Sequence, residues 1–257
     1  MEELKILMIG VVDVINDPLL HYWFTTFDKE RDESKLDIEA LLVLKNYAKV
    51  PKLLDKIVSV KEPGYLDLIN AGDIFDRELW NLGFQYAIMN KYNQIFTLKP
   101  NFNPNDGIVT DLLKFSQREN VGAVSAFVPV HYNVKGEDKF FIGAKIMKHN
   151  IMGQKQAGDK DKELVWCDAI HFSTAMFNIK AVIKTPLIIN IDPRWKPIAW
   201  EYEYTNRIKK SGFNVIMNKN AESFMLFHNP LKDELSVCSL RSMPTKPQED
   251  QIIKRPF

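Results

Sequence analysis

The first hundred residues alternate between two hydrophobic periods, and this alternation limits the folds open to the chain. Residues 4–12, LKILMIGVV, form a nearly unbroken apolar run of strand length. Residues 17–30, DPLLHYWFTTFDKE, space their apolar side chains for one face of a helix, with Asp17 and Pro18 at its start. A second strand follows at 36–44, LDIEALLVL. Then come a short helix from Pro51, a strand near 56–62, a helix over 73–92 capped by Asp73, and the strand QIFTL at 94–98. Strands this apolar need cover on both faces, and helices between them supply it. The expectation is an α/β fold with a mostly parallel, Rossmann-like central sheet flanked by helices. Ligands of such sheets bind beyond the carboxyl ends of the strands, which draws attention to KPNFNPNDG, residues 99–107.

The second half reads differently. Residues 121–133 and 139–147 suggest an antiparallel hairpin, the smaller antiparallel region of the fold. Residues 148–163, KHNIMGQKQAGDKDKE, lack periodicity and read as a mobile loop over the site, with lysines suited to a polyanionic acceptor. A strand through 165–177 and a helix over 197–212 ended by Gly212 complete a core domain spanning 1–228. Residues 229–257 form a proline-containing tail expected to wrap the domain or fray.

Composition narrows the function classes. With 34 Lys+Arg against 33 Asp+Glu, the net charge of +1 gives no reason to expect nucleic acid or an anionic membrane as the main partner. Cys167 and Cys238 sit in no metal or redox spacing, and no run approaches a membrane span, so a cytoplasmic protein is expected. Trp80, Phe84, Tyr86 and Ile88 read as the core face of their helix, and His21, His131 and His149 have no ligand-like spacing.

Several landmarks occur in a fixed order. Asn70 and Gly72 give an NxG, and Asn81, Gly83 and Ala87 an NxGxxxA. Lys99, Pro100 and Asn101 end an apolar strand, with Pro104 and Gly107 beyond; IDPRW at 191–195, WEYEYTNR at 200–207, KKSG and His228 follow. In this order the chain resembles the inverting glycosyltransferases of family 2, which have the GT-A (nucleotide-diphospho-sugar transferase) fold. The resemblance implies transfer of a sugar from a nucleotide-diphosphate donor to an acceptor hydroxyl, with Glu201 as the base that takes the hydroxyl proton. It implies that a divalent cation, Mn²⁺ or Mg²⁺, would bridge the diphosphate to Asn101 and His228. It also places Asp13, Asn46, Asp73, Arg77, Lys99 and Asn101 toward the donor. Asp168 and His171, with Trp200, are candidates for the acceptor side.

The chain departs from the family at Lys99–Pro100–Asn101, where relatives carry Asp-x-Asp. A neutral Asn oxygen replaces a carboxylate poorly toward hard cations, while Lys99 brings its own positive charge. The favoured reading is that Lys99 partly substitutes for the metal; weak metal binding through Asn101, Asp106 and His228, or a dead site, compete with it. Two rival functions stand beside transfer: a degenerate binding or scaffold protein, and a sugar-phosphate nucleotidyltransferase, which lacks support from any Gly-rich triphosphate loop. The acceptor could be a glycan, a small molecule or, as a minority reading, nucleic acid.

Overall fold

The computed structural model describes residues 4–12, 17–45, 65–128, 131–134, 137–147, 150–156, 163–187, 200–229, 234–238 and 252–253. The expected first strand, helix and second strand form as β1 (Lys5–Val12), α1 (Asp17–Ser34) and β2 (Asp37–Leu44). After them come β3 (Leu66–Asn70), α2 (Asp76–Met89) and β4 (Gln94–Leu98). The chain then forms β5 (Phe102–Pro104), α3 (Ile108–Ser116) and β6 (Val121–Phe127). β7 (His131–Val134), β8 (Glu137–Met147) and β9 (Asn150–Gln156) make a separate three-stranded antiparallel sheet. β10 (Leu164–Trp166), β11 (Thr174–Asn178), α4 (Ile179–Lys184), α5 (Trp200–Lys210) and the long β12 (Asn214–Asn229) follow, with β13 (Glu234–Cys238) and β14 (Ile252–Ile253) last.

The main sheet runs β14-β13-β12-β6-β11-β4-β1-β2-β3, with β10 and β5 also paired to β12. β3, β2, β1 and β4 are parallel, as the apolar runs require, and β6 is parallel to β12. Between these blocks β11 runs antiparallel to both β4 and β6. Alternate side chains of β1 feed two cores. Ile6, Met8 and Val12 pack with Trp23 and Phe27 of α1 and with Leu112 and Phe115 of α3. Leu7, Ile9 and Val11 face Leu79, Trp80 and Phe84 of α2 and Tyr204 and Ile208 of α5. Gly83 sits where α2 crosses β1: a Cβ there would lie 2.9 Å from Ile9 Cγ2, so the absence of a side chain sets the helix-to-strand distance.

Some expectations change. Asp73 does not cap α2; Phe75 occupies the N-cap position and its N–H donates to the Glu78 carboxylate at 3.0 Å. β3 and α3 were not anticipated, the first because LDLIN is short and half polar, the second because IVTDLLKFS directly follows an Asn/Pro loop. Residues 121–133 are not one strand of a hairpin, since β6 joins the main sheet and β7 the small one. The expected loop of 148–163 contains β9, hydrogen-bonded to β8. The anticipated strand over 165–177 breaks into β10 and β11, and the irregular stretch between them becomes part of the site described below. The short helix from Pro51 and the strand near 56–62 lie outside the described residues. β13 pairs with β12 and β14 with β13, so part of the tail extends the sheet edge.

Candidate functional site

β1 lies between β2 and β4 in the sheet, and the chain reaches β4 only after forming β3 at the far edge. The carboxyl ends of β1 and β4 therefore flank a topological switch point, the place where open α/β sheets hold ligands. Lys99 is the first residue past β4, and its N–H donates to Ser173 O at 2.9 Å. This bond fixes the irregular 170–173 segment beside the strand end.

The first turn of α5 meets the same segment. Glu201 is only 8% exposed; its Oε2 accepts the Phe172 N–H at 2.6 Å and its Oε1 accepts from Lys99 Nζ at 2.5 Å. One turn on, Thr205 Oγ1 accepts the Ile170 N–H at 3.0 Å. Two side chains at i, i+4 thus hold successive parts of one backbone stretch. Trp200 is buried against Phe172, with ring centroids 5.0 Å apart.

The electrostatics follow from burial and the neighbours. Burial would push the Glu201 carboxyl up, but the Lys99 ammonium, the Phe172 N–H and the nearby His171 outweigh it and hold the group below its usual range. Burial, helped by Lys99 and opposed by Glu201, lowers the His171 imidazole to about 4. His171 is therefore neutral at pH 7. Its Nδ1 faces the Ser173 hydroxyl and accepts the Ser173 N–H at 3.3 Å, which leaves the proton on Nε2. The rings of Phe102 and Tyr202 stand 6.5 Å from it.

The other anticipated residues divide into groups. Lys99, Glu201 and His171 come together. Asp168 lies apart from them: its carboxylate pairs with Lys209 at 2.5 Å and its carbonyl accepts from Asn206, at the far end of α5. Asp73 pairs with Lys45 at 3.1 Å where β2 and β3 end. Arg77 lays its guanidinium over the exposed Phe75 ring, 5.4 Å from the centroid. The NxG landmark is a turn at the end of β3, in which Asn70 Oδ1 accepts the Gly72 N–H at 3.2 Å and Gly72 has φ 69°. Asp13 and Asn46 lie outside the described residues.

Asn101 is tied into β12, its carbonyl accepting the Leu226 N–H at 2.7 Å. This register brings Asn101 within two residues of His228 along β12, although 127 positions separate them in sequence. The donor set at the strand end does not suit a hard divalent cation. Lys99 contributes an ammonium, Asn101 a neutral amide, and among the described residues no cluster of three His, Cys, Asp or Glu side chains could hold a metal. Sequence reasoning missed Ser173, the Phe172 N–H and Tyr202 as parts of this site, and it missed the pairing of Lys99 with Glu201. No sequence signal marks a contact between side chains 102 residues apart.

A sheet of nine strands in line, parallel at one end, interrupted by an antiparallel strand and flanked by helices, is a GT-A-like glycosyltransferase fold. Among solved structures, the chain is similar to the crystal structure of GalNAc-T7 with UDP, GalNAc and Mn²⁺, with a TM-score of 0.63 at 12% identity. The match covers 86% of this chain but 44% of that one, so this chain spans less than half the length of its neighbour. A197 from STIV also matches, with a TM-score of 0.44 and 8% identity over 96% of this chain and 100% of that one. No protein-family model matches the chain, and no curated protein does.

Proposed function

We propose that this protein is an inverting glycosyltransferase, moving a sugar from a nucleotide-diphosphate donor to an acceptor hydroxyl. The observation that carries the reading is the pairing of half-buried Lys99 with buried Glu201 at the carboxyl end of β4, beside the switch point of a GT-A-like sheet. In the reaction, an acceptor oxygen attacks the anomeric carbon and forms the new C–O bond. The bond from that carbon to the diphosphate oxygen breaks, and its electron pair leaves with the diphosphate. Glu201 takes the proton of the acceptor hydroxyl. Lys99 offers positive charge to the departing diphosphate, in the position where the family resemblance expects metal-binding carboxylates. Asp13, Asn46, Asp73 and Arg77 are proposed toward the donor. Neutral His171, holding its proton on Nε2, is proposed as a donor of a hydrogen bond on the acceptor side. The burial of Trp200 and the Lys209 pairing of Asp168 favour supporting roles for these two residues.

A second reading has its own observation. Each Glu201 oxygen already accepts a strong hydrogen bond, as it would in a protein that retains the fold for binding alone. The two readings separate on Glu201→Gln, which keeps the shape and the Phe172 bond but removes the base. For the enzyme, transfer falls by about 10²-fold or more while the folded state persists. Nucleotide-sugar turnover unchanged by the substitution would remove Glu201 from the chemistry.

A further inference from the structure

The two partners of Glu201 differ in their freedom to leave. The Phe172 N–H is main chain, in a segment held by the Ile170–Thr205 and Lys99–Ser173 hydrogen bonds. Lys99 holds Oε1 through a flexible four-carbon stem, and its side chain is 29% exposed against 10% for Glu201. An acceptor hydroxyl seeking Oε1 must compete with an ammonium 2.5 Å away. An anionic diphosphate entering beside the ammonium would compete with the carboxylate for it.

We infer that the donor diphosphate exchanges with Glu201 for Lys99: the lysine closes on the carboxylate in the donor-free protein and moves to the diphosphate when the donor binds, freeing Oε1 for the acceptor hydroxyl. The inference rests on the glycosyltransferase reading. By it, the base is competent only once Lys99 has moved to the donor. Among the described residues, the charged or titratable groups acting on Glu201 are Lys99 beyond β4 and His171 before β11, and His171 is neutral. Of these two, Lys99 is therefore the group whose movement changes the charge at the carboxylate.

Inorganic pyrophosphate is the probe, used with the full chain. Its affinity is measured by calorimetry for wild type, Glu201→Gln and Lys99→Met. If the closed pair outnumbers the open state by about ten to one, removing the carboxylate's charge strengthens binding about tenfold. Lys99→Met weakens it by about tenfold or more. A direct reading on wild type separates exchange from plain charge repulsion and does not depend on a variant folding. With ¹⁵N-lysine and ¹³C-carboxyl-glutamate labels, the correlation through the Lys99–Glu201 hydrogen bond is present in the free protein and is lost at saturating pyrophosphate. Its persistence at saturation overturns the exchange and leaves the diphosphate site standing. Equal pyrophosphate affinity in wild type and Lys99→Met, or no binding by any of the three, overturns both the exchange and the donor reading beneath it.

Discussion

At the scale of single residues, the Lys99–Glu201 pair sets how the protein responds to substitution and acid. Lys99→Met leaves a buried carboxylate without its cation, and partial exposure of the lysine moderates the loss to about 2 kcal/mol at pH 7. The wild-type Glu201 carboxyl is depressed below 4.5, so the unfolded chain protonates first and the pair's contribution is lost as pH falls through the depressed value. In Lys99→Met burial dominates, the carboxyl rises, and its ionisation counts against the fold as pH increases. Urea unfolding at pH 7 and pH 4 should therefore show the wild type's advantage over Lys99→Met shrinking in acid. His171 adds a second window. Its imidazole titrates near 4 when folded and at about 6.5 when unfolded, so the unfolded chain gains the proton first and stability declines between those values. His171→Asn should flatten that part of the profile. Landmark order singled out Glu201 and Lys99 as candidates, but their contact could not be read from it, because it depends on how β4, α5 and an irregular segment converge.

Secondary-structure elements meet through a few specific contacts. Glu30 of α1 is buried, and its two carboxylate oxygens accept the N–H groups of Gly107, Ile108 and Val109 at 2.8, 3.2 and 3.0 Å. A side chain from one helix thereby supplies the N-terminal cap of another, where a carboxylate also meets the favourable end of the helix dipole. Gly107 has φ 75°, a conformation open to glycine at little cost, which explains the glycine beyond the strand end better than any role in catalysis does. Glu30→Ala should cost about 2 kcal/mol by urea unfolding, because three helix-start donors, two of them buried, lose their acceptor. Glu30→Gln, which retains a neutral acceptor, should cost less. Gly83→Ala should cost about 1 to 3 kcal/mol by the same measurement, since its new methyl meets the buried Ile9 side chain. The apolar runs of β1, β2 and β4 announced themselves through composition and length. α3 was hidden because its cap comes from Glu30, 78 positions before Ile108, and no local capping signal replaces it.

Across the whole molecule, the sheet order joins residues that the sequence scatters. The β1–β4 junction presents Lys99, the antiparallel β11 brings His171 and Ser173 beside it, and the long β12 carries its partner strands β5 and β13 past Asn101. The parallel part was legible because each strand and helix carries its own hydrophobic period. The β10–β11 break and the separation of β6 from β7 were not, because continuous apolar patterns do not reveal where a strand changes sheets. The resemblance suggested a metal-bridged diphosphate site, whereas the residues at the strand end present an ammonium paired with the proposed base. Sugar transfer at that site is what the proposed function requires. Its most direct test is to incubate wild type and Glu201→Gln with a panel of nucleotide-diphosphate sugars and mixed acceptors, with chelator or Mn²⁺, and follow glycosylated product and its anomeric configuration by mass spectrometry and NMR. The expected result is a product of inverted configuration from one donor, formed by wild type even in chelator and reduced by about 10²-fold or more in Glu201→Gln. Equal product from both proteins, or retained configuration, would contradict it.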